Sequence, residues 1–105
     1  MMFMVSTDNI AGREIEMLGL VKGSTIQSKN IAHDIGQGLK TLVGGELKSY
    51  TDMLNTAREI ATRRMVEEAQ RLGADAIVGV RYTTSAVMQA AAEILVYGTA
   101  VKFVK

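Results

Sequence analysis

Leu47, Tyr50, Leu54, Ala57, Ala61, Met65, Ala69 and Leu72 follow one another at steps of three and four. That spacing lines one side of an α-helix and predicts a helix over most of residues 46–72. At 1.5 Å per residue it is about 40 Å long. Met53, Ile60 and Val66 form a sparser second line that widens the buried arc. Glu59 with Arg63, and Glu67 with Arg71, stand four residues apart. In that orientation each pair supports an exposed helical face by about 0.2–0.5 kcal/mol.

The rest of the chain supplies the long strands. The stretch "MMFMV" reads as a short first strand, followed by a turn in "STDNIAG", where Asp8, Asn9 and Gly12 provide turn chemistry. In "REIEMLGLVKGSTIQS", Ile15, Met17 and Val21 alternate, with Leu18 and Leu20 on the other parity and Gly19 between them. This predicts a long strand covered on both faces or carrying a bulge, interrupted near Gly23. "ADAIVGVRYTTS" predicts a strand with Ala76, Val78, Val80 and Tyr82 on one face and Ile77, Gly79, Arg81 and Thr83 on the other. "AEILVYGTAVKFV" predicts a final strand that is largely apolar on both faces.

Between the second strand and the long helix, Asn30 is a candidate N-cap. Ile31, Ile35, Leu39 and Leu42 recur at helical spacing and predict a short helix over 31–43. Gly44 takes the closing position of that helix, Gly45 allows the change of direction, and Glu46 sits in the first turn of the next. The predicted order is strand, strand, helix, helix, strand, strand. The expected fold is α+β, one domain over residues 1–105, with a mostly antiparallel sheet and two consecutive helices packed on one face. Helices then cover one face of the sheet, and the other needs a partner.

Composition points the same way. Hydrophobic residues make up 48% of the chain, high for a body that can bury only roughly 65% of its unfolded surface. Surplus apolar surface is expected to be buried between copies, so the chain is expected to form a homo-oligomer. Lys and Arg number 12 against 11 acids, and aromatic residues are 5%. No broad basic field or stacking platform favours nucleic acid or an anionic membrane. The chain has no cysteine, which removes disulfides, thiolate metal sites and cysteine nucleophiles. "MMFMV" is too short for a signal-peptide core and no run reaches the roughly 20 residues of a spanning helix. A cytoplasmic location is the expectation.

"NIAHDI", "VGGELKSY", "AREIA", "LGADAIVGV" and "GTAV" together resemble the YbjQ family, small bacterial and archaeal proteins labelled as heavy-metal-binding. The similarity covers essentially the whole chain. It implies an α+β subunit related in shape to the dodecins and assembled as a ring, a pentamer. Members commonly carry arginine where His33 stands, so a metal site shared by the family would not depend on His33. It would need carboxylates such as Asp34, Glu46 or Asp75.

The residues that could carry chemistry are few. His33 is the single histidine and is placed about 200° from the apolar line of its helix, towards water or a neighbouring subunit. One subunit cannot supply the three or four ligands zinc usually takes, whereas ring symmetry could repeat His33 around an axis with Asp34 alongside. The surface or interface reading is favoured over this metal site, and both over a catalytic base. The Gly44–Gly45–Glu46 joint could present N–H groups to an anion, but the Glu46 charge opposes it and simple helix termination is favoured. Asp75 reads as a capping or turn carboxylate before a ligand group, and Arg58 as a pairing residue across an interface. The seven methionines read as adaptable core filling before a thioether site.

No phosphate loop, dinucleotide fingerprint or nucleophile elbow is present in the sequence. The expected function is therefore non-enzymatic: a homo-oligomeric binding protein, with Asn30, His33, Asp34, Gly44, Gly45, Glu46, Arg58 and Asp75 as ligand, metal or interface candidates. A divalent metal ion is the cofactor left open. The alternative is a structural or scaffold oligomer with no dedicated small ligand.

Overall fold

The computed structural model describes residues 2–28, 45–88 and 91–104. Along the chain come β1 (Phe3–Met4), β2 (Ile15–Ser28), α1 (Gly45–Arg71), β3 (Ala76–Met88) and β4 (Ala91–Phe103). They form one sheet in the order β1-β3-β4-β2. β4 pairs antiparallel with β2 and with β3, whereas β1 pairs parallel with β3. The sheet is mixed.

This corrects the expected architecture. Among the described residues there is a single helix, and the order is strand, strand, helix, strand, strand rather than one with two consecutive helices. The expected short helix over 31–43 lies outside the described residues. The parallel pairing arises because β1 precedes the helical crossover and returns beside β3, where Phe3 faces Ala76 and Met4 faces Ile77.

The stripe of α1 is short in its side chains, and that decides how the layers meet. Ala57, Ala61, Met65 and Ala69 are buried against Val21, Ile77, Ile94, Val96 and Ala100. Three alanines let the helix backbone descend onto β2. At Gly23 the descent is complete: a Cβ built there would overlap the carbonyl oxygen of Ala61 and lie 2.5 Å from the backbone nitrogen of Met65. Gly23 therefore does not interrupt β2, which runs unbroken through it. Its missing side chain is the space the helix occupies.

Leu72, the last residue of the predicted stripe, is 47% exposed. The helix ends before it in a Schellman turn, with Gly73 at φ 80°. The Ala74 N–H donates to the Ala69 carbonyl at 3.1 Å and the Gly73 N–H to that of Gln70 at 3.0 Å. Lys102 adds a charged donor to the same end, its Nζ 3.0 Å from the Gly73 carbonyl.

Of the three register shifts in the sheet, one in β2 and two in β3, the first in each strand sets which side chains face α1. The β2 register shifts between Met17 and Gly19, where the crowded apolar run predicts it, and Leu18 packs against the core below α1. The β3 register shifts between Val78 and Arg81. That shift overturns the simple alternation expected for β3: Val80 joins Ile77 against the main core, while Ala76 and Val78 pack on the other side. A one-residue slip exchanges faces for everything beyond it.

The second face of the sheet is only partly covered. At one end, Val5, Ile10, Ile15 and Phe103 pack on Ala76, Val78 and Val101, and Arg13 lies over the Phe103 ring at 3.8 Å. Farther along, Leu20 is 68% exposed, Ile26 60% and Tyr97 39%. The last eight residues of β3, Arg81 to Met88, are all exposed. The radius of gyration is 17.1 Å, against about 13 Å for a compact chain of this length.

Candidate functional site

The sequence candidates separate into those the described residues include and those they do not. Asn30, His33, Asp34 and Gly44 lie outside the described residues. Gly45 begins α1 and Glu46 follows it in the first turn, so α1 starts one residue earlier than expected. Their side chains lie outside the described set.

Asp75 has a structural task. Its carboxylate oxygen Oδ2 accepts the Phe103 N–H at 2.8 Å, and its own N–H donates to the Val101 carbonyl at 2.8 Å. Both bonds extend the β3–β4 ladder past the start of β3. A carboxylate that is engaged by backbone in this way matches the turn-and-cap reading of the sequence.

Arg58 lies on the exposed side of α1, where its Nη1 donates to Asn55 Oδ1 at 2.9 Å. It lines a groove of about 590 Å³ together with Glu59, Thr62, Arg63 and Tyr82. The four helical residues stand at i, i+1, i+4 and i+5, so they share one side of the rod. Tyr82 comes from β3, and its hydroxyl meets Thr62 Oγ1 at 2.7 Å. Thr62 Oγ1 also donates to the Arg58 carbonyl at 2.7 Å. The groove thus offers two guanidinium groups, one carboxylate and a fixed pair of hydroxyls. It is open to solvent, and its accessible lining is mostly apolar. It contains no nucleophile with an adjacent base.

Among the described residues, no three of His, Cys, Asp and Glu come together as a metal would require. Thr62 and Tyr82 were not legible as a site in the sequence. They are 20 positions apart, and only the tertiary approach of α1 to the far part of β3 joins them. Glu59 and Arg63 were legible as an exposed charged pair, which is where they lie.

The sequence pattern of the YbjQ family, described as "Putative heavy-metal-binding", matches residues 2–104. The chain belongs to this family. It is 68% identical to a UPF0145 protein of Clostridium novyi (strain NT) over 96% of this chain and 98% of that one. A UPF0145 protein of Alkaliphilus metalliredigens is 65% identical over 98% and 100%, and one of Methanosarcina acetivorans is 58% identical over 96% of each. Among solved structures, a protein of unknown function in the DUF74 family from Pediococcus pentosaceus superposes with a TM-score of 0.67, at 16% identity over 98% of each chain. At that identity the likeness is one of fold. No helix among the described residues of this YbjQ-family chain is long and apolar enough to cross a membrane.

Proposed function

We propose that this YbjQ-family chain is a homo-oligomeric binding protein, a pentameric ring in which a small ligand or divalent metal is held where copies meet. The observation that carries the reading is surface: the chain exposes 6892 Å², whereas a compact monomer of its mass exposes about 5,800 Å². The excess, about 1,100 Å², is comparable to the roughly 800 Å² each partner buries in a standard interface. Leu20, Ile26 and Tyr97 add exposed apolar side chains on the second face of the sheet.

The ligand chemistry follows from two sources. The family description favours a heavy metal, which would draw on carboxylates such as Asp34 and Glu46 repeated by ring symmetry, with His33 as a ligand particular to this chain. The groove at Arg58, Arg63 and Tyr82 favours a small polar or anionic group. Native mass spectrometry of freshly purified protein tests the reading. The expected spectrum shows five copies and a retained mass, with elemental analysis and zinc titration of wild type and His33→Ala deciding whether that mass is metal. A single-copy species overturns the proposal, and five copies with nothing retained point to the scaffold alternative.

A further inference from the structure

The two outer edges of a sheet present unpaired backbone N–H and C=O groups, and chains ordinarily protect them with charge, proline, bulges or a covering segment. In this protein β2 and β1 are the outermost strands, but β1 is only two residues long. The N-terminal segment therefore shields only the start of β3. The Val5 N–H donates to the Ile77 carbonyl, and the Gly79 and Val80 N–H groups donate to Thr7 and Val5. Arg81 then closes the shielded part, its Nη1 2.8 Å from the Ser6 carbonyl.

Beyond Arg81 the edge has no such cover among the described residues. Tyr82 to Met88 reads Tyr-Thr-Thr-Ser-Ala-Val-Met, and every residue in it is exposed. It contains no charge, no proline and no glycine. The branched and aromatic residues in it favour strand, and its pairing with β4 is regular from Arg81 to Ala86, before a register shift between Ala86 and Met88. A strand built for pairing and left bare is incomplete.

Resting on the homo-oligomer reading above, we propose that the β3 edge from Tyr82 to Met88 is the assembly surface, where an extended segment of a second copy adds to the sheet by backbone hydrogen bonding. A second copy suits it for two reasons. The chain exposes about 1,100 Å² more than a compact monomer of its mass, more than the roughly 800 Å² that one standard interface removes from each partner. An uncharged edge meets no like-charge repulsion from another copy, and it offers no charge by which to select a charged partner. The groove containing Tyr82 then lies at the rim of the contact.

Hydrogen exchange across residues 82–88 tests this. In an isolated hairpin, alternate N–H groups of β3 point away from β4 and exchange freely. In the assembly the proposal expects both sets to be slow, with the outward set released when the protein is diluted to single copies. Thr84→Pro and Ser85→Pro provide a second arm, because one of the two removes only an outward donor. That variant is expected to associate at least roughly tenfold more weakly while keeping its helix and strand content by circular dichroism. An assembled wild type whose outward amides exchange freely overturns this proposal alone, as do two folded proline variants that assemble like wild type. If both variants unfold, the exchange pattern decides. A wild type that stays single at all concentrations overturns the homo-oligomer reading as well.

Discussion

The two long edges of this sheet are treated in opposite ways. Along β2, the Lys22 N–H is taken by Glu68 Oε1 at 2.7 Å, and the Ser24 carbonyl by Arg64 Nη1 at 2.7 Å. Both side chains come from α1, so one helix buries its alanine stripe and caps the strand edge at Lys22 and Ser24. Along the open edge of β3, α1 contributes the Thr62–Tyr82 hydroxyl contact, and the strand stays exposed from there to Met88. The same helix that completes one side of the molecule leaves the other unfinished. The contrast separates what the chain stabilises internally from what the assembly proposal assigns to a second copy.

The sealed side is the place to break the fold. Gly23→Ala is expected to have the largest effect, because its Cβ would meet helix backbone and no flexible side chain can yield. The helix must lift from β2, at a cost of about 3 kcal/mol or more. Urea denaturation should show that loss, and an unchanged midpoint would mean the layers are farther apart than described. Met65→Ala follows, expected to cost about 2–5 kcal/mol because Met65 is fully buried among the stripe and the sheet. Glu68→Ala should be smaller, about 1 kcal/mol, since it removes the acceptor of one exposed edge donor. Its urea midpoint should fall while the helix content stays unchanged.

The open side should respond weakly in stability. Tyr82→Phe removes only the hydroxyl contact with Thr62, on an exposed surface, and is expected to change stability by no more than about 0.5 kcal/mol. Its use is in binding: isothermal titration of small anions into wild type and this variant should show weaker binding in the variant if the groove is used. Equal heats in both would remove Tyr82 from the groove's function.

Local periodicity made the helix legible, because Ala57, Ala61, Met65 and Ala69 must share a face whatever surrounds them. The β2 bulge was legible for a related reason: two apolar parities crowd around Gly19, and only an irregular strand accommodates them. The β3 bulge was not, since "AIVGVRY" reads as clean alternation and its slip depends on the N-terminal segment docking at Gly79 and Val80. Gly23 shows the same limit. A glycine in a strand is ambiguous in sequence between a break and a close approach, and the helix that decides it begins 22 residues later, at Gly45. The parallel placement of β1 was hidden because two residues carry no register information. For the site, Asp75 was readable as a turn carboxylate from its position after Gly73, whereas the Thr62 and Tyr82 pairing needed the fold.

Sedimentation velocity across a dilution series is the most direct measurement of whether the bare β3 edge makes this chain incomplete by itself. The account predicts a species several times 11.4 kDa that persists to low micromolar concentration and dissociates, when it does, with loss of structure in the β3–β4 hairpin. A soluble, cooperatively folded 11.4 kDa particle at every concentration would contradict it.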